Sequence, residues 1–292
     1  MRRLLLLAAP ALIAAGLAPV RAQMVPVGGT SFDVDLYGNI YVLDAEKNTL
    51  RLYDRTGTLL RDVGGPGWAD GQFDRPAAVW ARNGIDVYVA DYGNHRIQRF
   101  DRSLNFVSSF ATRDNGNPDE RFGYPSGVAL SRLGELFICD TENGQIVKVD
   151  RFSTVERTFG GITAGNGHLA APTVVATGPK DAVYVLDGSR VAVFDAFGNY
   201  LRDLLPGVLT HPAGIFGDDG VVAVLDSATI FFCGAEERPA GAFDTRSAVA
   251  SGTIVRSFVL ARDSLYLLTA GGIVRLADPR RTGGLENQPI SH

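Results

Sequence analysis

The 292-residue chain has only two cysteines, two methionines, two tryptophans and four histidines. Two cysteines do not make a disulfide framework, and a chain of this length can bury an adequate apolar core without one. Basic residues are in the minority, with 28 Lys and Arg against 32 Asp and Glu. Setting aside the three arginines of residues 1–22 leaves a charge of −7, which lacks the basic footprint that neutralises phosphate or anionic lipid. Nucleic acid is therefore not an expected partner. After residue 22 no apolar run is long enough for a membrane span, and no stretch carries the period of an amphipathic helix.

Residues 1–22 read as a signal peptide. Arg2 and Arg3 supply a positive start, Leu4 to Leu17 is an almost unbroken apolar run, and Val20 and Ala22 stand three and one before a cut after Ala22. An uncut anchor is the alternative. Cleavage would place the mature protein, from Gln23, in the periplasm or outside the cell.

Six segments then repeat one pattern. They are Ile40 to Asp44, Val87 to Asp91, Leu136 to Asp140, Val183 to Asp187, Val222 to Asp226 and Leu265 to Thr269. Their last positions are 47, 49, 47, 39 and 43 residues apart, the spacing of four-stranded propeller blades. Each is a short run of β-branched and aromatic residues bounded by turn formers, as expected of a strand covered on both faces. A second apolar column follows at Leu50, Ile97, Ile146, Val191, Ile230 and Ile273. Prolines followed by small residues open the units, as at Pro125, Ser126 and Gly127, and suit innermost strands crowded around an axis. The expected fold is all-β: a six-bladed β-propeller of four-stranded antiparallel blades over residues 23–277, with a polar, mobile tail at 278–292. The sixth copy ends after its third strand, and Met24 to Gly29 echo the outer strand Leu60 to Gly65. The N-terminal strand is thus expected to pair in the last blade and close the ring.

Asp91, Tyr92, Gly93, Asn94, His95, Arg96, Ile97, Gln98, Arg99 and Phe100 resemble the hallmark segment of NHL-repeat proteins. Gly64 to Gly67 with Asp70 to Phe73 resemble the glycine-rich connector of that family. The chain is similar to an exported, bacterial-type member, over about residues 24–278. The resemblance implies the propeller and leaves the activity open, because the family holds protein-binding and RNA-binding domains, extracellular scaffolds and a lyase of related fold.

Chemistry-bearing residues give weak patterns. His168 and His211 are the candidate metal ligands, but no HxH or HExxH spacing accompanies them. The repeated aspartates Asp44, Asp91, Asp140, Asp187 and Asp226 are expected to accept backbone N–H groups of their own turns rather than to ring a calcium ion. Cys139 and Cys233 fall in core columns, and Trp68, Phe73 and Phe122 are expected to wedge between blades. No catalytic constellation and no cofactor motif is apparent. What remains is a loop-rich face carrying Glu46, Lys47, Tyr92, His95, Arg96, Arg121, Tyr124 and Glu142, types suited to interfaces. The expectation is a monomeric, non-enzymatic scaffold binding a protein, peptide or glycan there. A metal-assisted lyase or hydrolase at the axial mouth is the competing reading.

Overall fold

The computed structural model describes residues 23–285 apart from Pro26, Asn115, Gly116, Pro118, Asp119, Phe152, Ala235 and Glu237. The expected signal peptide and the end of the tail, 286–292, lie outside the described residues.

The first strand is β1 (Gln23–Val25). Blade one follows as β2 (Ser31–Val34), β3 (Ile40–Asp44), β4 (Thr49–Tyr53) and β5 (Leu59–Gly64). Blade two is β6 (Ala78–Trp80), β7 (Asp86–Asp91), β8 (Arg96–Asp101) and β9 (Phe106–Phe110), and blade three is β10 (Pro125–Leu130), β11 (Leu136–Asp140), β12 (Gln145–Val149) and β13 (Val155–Phe159). Blade four comprises β14 (Pro172–Thr177), β15 (Val183–Asp187), β16 (Arg190–Phe194) and β17 (Tyr200–Leu204). Blade five comprises β18 (Pro212–Gly217), β19 (Val221–Asp226), β20 (Thr229–Gly234) and β21 (Pro239–Asp244). Blade six supplies β22 (Val255–Ala261), β23 (Ser264–Thr269) and β24 (Gly272–Ala277), and β1 completes it. Every ladder is antiparallel, and β1 pairs with β24 through Gln23 with Arg275, Met24 with Val274 and Val25 with Ile273. The ring is therefore fastened by its own first strand, as the echoed residues indicate.

Second strands such as β3, β11, β15 and β19 are buried along their whole length, which is why their sequences show no polar alternation. Inner strands approach one another so closely that some positions admit only glycine. A Cβ on Gly127 would lie 2.9 Å from the Thr173 carbonyl oxygen, and one on Gly217 would lie 2.5 Å from that of Thr177.

The topology produces two faces. Turns between the second and third strands share one face with the connectors between blades, here the connector face. Turns after the first and third strands form the opposite hairpin face. At that face Arg82 crosses the axis from blade two to blade five, donating to the Gly217 carbonyl at 2.9 Å and stacking on Phe216 at 4.4 Å. Asp33 of β2 pairs with it at 3.3 Å and accepts from the Ala81 amide. Burial raises the carboxyl pKa of Asp33 despite the opposing pull of Arg82 and two amides. Above this plug the channel is a cavity of about 180 Å³ lined by the inner strands.

The segment expected to hang loose after residue 277 is docked as far as Leu285. Asp278, buried, accepts from the Arg280 amide at 3.0 Å at the start of a helical turn, α1 (Pro279–Thr282), and pairs with the Arg280 guanidinium. Leu285 packs beside Gly241 of β21.

Candidate functional site

Five aspartates at the ends of second strands organise the connector face, with a reach greater than their own turns. Asp140 does accept from the Glu142 and Asn143 amides of its turn, and also from the Gly123 amide of the preceding connector. Asp91 takes the Asp74 amide, Asp187 the Ala170 and Ala171 amides, and Asp226 the Thr210 and His211 amides. Asp44 alone stays local, accepting from the Lys47 amide and pairing with Arg51 at 2.8 Å. Each of the other four carboxylates ties a loop to a blade across more than a dozen residues. The expectation that these carboxylates cap their own turns thus holds for Asp44 and Asp140 and is corrected for Asp91, Asp187 and Asp226, whose backbone partners lie in the preceding connector.

Arg96 belongs to this scaffolding. It is buried, pairs with Asp91 at 2.8 Å, and donates to the carbonyls of Trp68, Ala69 and Gln72. Its expected place among the surface contacts is corrected accordingly: it holds the connector of blade two and does not reach outward. Gln98 supports the same loop through the Gly71 amide and the Gln72 carbonyl. Phe73 and Phe122 wedge between blades as expected, but Trp68 does not, with 70% of its surface exposed.

Four loops converge over the junction of blades two and three. The blade-two turn brings Tyr92 and His95, and the connector before β10 brings Arg113 and Tyr124. The blade-three turn adds Glu142, and the connector before β6 adds Asp74 and Arg75. The Tyr124 amide donates to His95 Nδ1 at 3.2 Å, and the two rings stand edge to face at 4.3 Å. Tyr92 lies 5.1 Å from Tyr124. Arg75 sits 5.6 Å over Tyr92 and Arg113 5.9 Å over Tyr124, while Arg113 pairs with Glu142 at 3.8 Å and Arg75 with Asp74 at 3.3 Å. Arg75, His95 and Tyr124 all have φ near +50°, a conformation that costs L-residues energy and is held by the surrounding bonds. The Arg75 amide, for example, donates to Asn48 Oδ1 at 2.6 Å.

Burial first, then the nearby Arg113 and Arg75 charges, hold the His95 imidazole below its ordinary pKa, against Glu142 and Asp74. The neutral ring matches the Nδ1 acceptor geometry. Two arginine–aromatic stacks beside carboxylates and a neutral imidazole form a half-exposed, polar and rigid patch.

Of the expected surface residues, Tyr92, His95, Tyr124 and Glu142 come together here. Glu46 and Lys47 lie exposed in the neighbouring blade-one turn, joined to the patch through Asn48. Arg121 is half-buried and already partnered. Arg75 and Arg113 are the members that sequence patterns missed. His168 and His211 are exposed and hold connectors by their backbones, and among the described residues no three His, Cys, Asp or Glu side chains gather as metal ligands. Among the described residues no helix is long and apolar enough to cross a membrane.

The profile of the NHL repeat matches residues 83–100 and 122–149, which carry Tyr92, His95, Tyr124 and Glu142 but not Asp74, Arg75 or Arg113. Protein brain tumor of Drosophila melanogaster is 31% identical over 140 residues, 47% of this chain and 13% of that protein. NHL repeat-containing protein 3 of Mus musculus is 23% identical over 216 residues, 69% of this chain and 56% of that protein. The chain thus spans 13% and 56% of the lengths of these two relatives. Among solved structures, a catalytically inactive virginiamycin B lyase from Staphylococcus aureus with quinupristin superposes with a TM-score of 0.63 at 10% identity, covering 88% of this chain and 99% of that one. That likeness is one of fold.

Proposed function

We infer that this chain, a six-bladed propeller of NHL repeats, is a non-enzymatic scaffold that binds a protein or peptide on its connector face. NHL-repeat propellers are common protein-interaction scaffolds. The observation that carries the reading is the patch of Tyr92, His95, Tyr124, Arg75 and Arg113, in which left-handed backbone at Arg75, His95 and Tyr124 and the ring contacts leave little reordering for binding. A peptide suits it better than a sugar. Guanidinium groups already cover the tyrosine faces that a sugar ring would stack on, leaving ring edges and N–H groups for carboxylates and backbone carbonyls. On this reading residues 1–22 are a cleaved leader and the scaffold works in the periplasm or outside the cell, so that N-terminal sequencing of the native protein should begin at Gln23.

The test is retention of partners from an extract of the source cells and their envelope. A Tyr92→Ala, Tyr124→Ala variant with an unchanged melt should lose proteins that the unaltered chain captures reproducibly. An identical retained set would overturn the assignment of this face. The competing reading, a lyase or hydrolase at the axial mouth, draws its support from the fold likeness to virginiamycin B lyase.

A further inference from the structure

The hairpin face carries an open bowl of about 880 Å³ walled by turns of blades two to five and floored by the Arg82 plug. Two features distinguish its rim. On the side of blades two and three Ile85, 66% exposed, lines the bowl, Leu133, equally exposed, stands between the lining residues Arg132 and Gly134, and the exposed Leu36 and Tyr37 of blade one continue the apolar surface outward. They occupy the first turn of each blade, and Leu36 and Tyr37 abut the blade-two turn so closely that a Cβ on Gly84 would lie within 3 Å of both. Exposed apolar side chains gathered at the edge of a concavity mark a docking surface rather than scattered surface hydrophobes.

The side of blades four and five is acidic once charges are paired off. Arg82, Arg280 and Arg281 are each neutralised, by Asp33, Asp278 and Asp263. Asp86 is matched by Arg99. Arg132 is shared by Asp181 at 3.2 Å and Asp219 at 2.9 Å, which leaves one negative charge in excess. Asp218 meets only the backbone amides of Gly220 and Val221 among the described residues, leaving a second. Two unmatched carboxylate charges of blades four and five thus face Ile85 and Leu133 across the bowl, while the cations Arg102 and Arg262 lie outside it against Tyr37 and Leu36.

We propose that this bowl is a second binding site, independent of the connector face, for a basic peptide segment in which lysine or arginine stands beside aliphatic residues. The aliphatic groups cover Ile85 and Leu133, and the cation displaces Arg132 from one of its two acids or sits on Asp218.

The experiment uses the full chain and a fluorescein-labelled decapeptide of alternating leucine and lysine, followed by anisotropy. A decapeptide of leucine and glutamate serves as control. The basic peptide should bind and the acidic one should not, and binding should weaken as salt rises from about 50 to about 500 mM. Asp218→Asn with Asp219→Asn should weaken it at least about fivefold. Ile85→Ser should also weaken it, whereas Tyr92→Ala with Tyr124→Ala should leave it unchanged. Absence of binding would overturn the proposal, as would equal affinity in the Asp218 and Asp219 variant. Loss confined to the tyrosine variant would place the peptide on the other face and also defeat it, without touching the reading of that face.

Discussion

His95 shows how a single side chain can make the connector face sensitive to acid. The folded protein resists protonating the imidazole, and the unfolded chain binds that proton near pH 6.5. The contribution of His95 is therefore fully present above about 6.5 and declines as pH falls from there through the lower folded value. Protonation also removes the Nδ1 lone pair that accepts the Tyr124 amide. NMR should show the imidazole titrating below 6.5 with the Tyr124 amide shifting in the same step, and a midpoint at or above 6.5 would contradict this. Arg96 gives a stability test. Arg96→Ala strands the buried Asp91 carboxylate and frees three connector carbonyls, so a loss of about 3–5 kcal/mol is expected in denaturant unfolding. A loss below about 1 kcal/mol would mean that the clamp is dispensable. Sequence made Tyr92, His95, Tyr124 and Glu142 legible because blade periodicity alone assigns them to one face. It could not supply Arg75 and Arg113, whose positions depend on connector paths, nor reveal that Arg96 turns inward, because a guanidinium at a strand start looks the same whether it faces solvent or carbonyls.

Strands were the most legible level, for a physical reason. A strand sealed between neighbouring sheets must be apolar throughout, and Val183 to Asp187 or Val222 to Asp226 announce this without ambiguity. Ring closure was legible through the echo of Leu60 to Gly65 in Met24 to Gly29. The docking of Asp278 to Leu285 was not, because Pro279, Arg280 and Arg281 look like any polar tail until Asp278 is seen capping them. Deleting residues 23–29 removes the β1 ladder and the buried Val25 and Val27, and should lower the melting temperature by roughly 10 °C. An unchanged melt would show that β24 needs no partner. Blade one, which follows the closing strand, also lacks a clamp on its connector side. Among the described residues Thr49 Oγ1 and Arg51 Nε of β4 find no hydrogen-bond partner, at the ladder positions where blade two has Arg96 and Gln98 clamping a long connector. Only Val27 to Thr30 leads into blade one, too short a link to play that part. Amides of β1 and β24 should therefore exchange with deuterium before those of β11 and β15.

At the scale of the whole ring the two thiols act as built-in reporters. Cys139 and Cys233 are fully buried in different blades, and burial pushes the Cys233 thiol up to about 11 and the Cys139 thiol higher still. Neither should react with a thiol reagent in the native protein, and both should become reactive together in the single transition expected of a closed ring. Staggered labelling would mean that blades open separately. The Gln23–Arg275 pairing has one more consequence. Strand β1 precedes β24 by about 250 residues and finds its seat only once β24 has been made, so a nascent protein carries an unmatched sheet margin until blade six is complete. Any holding factor that shields such margins during synthesis would be needed until blade six arrives, and deleting β24 should raise the aggregated fraction of the expressed chain.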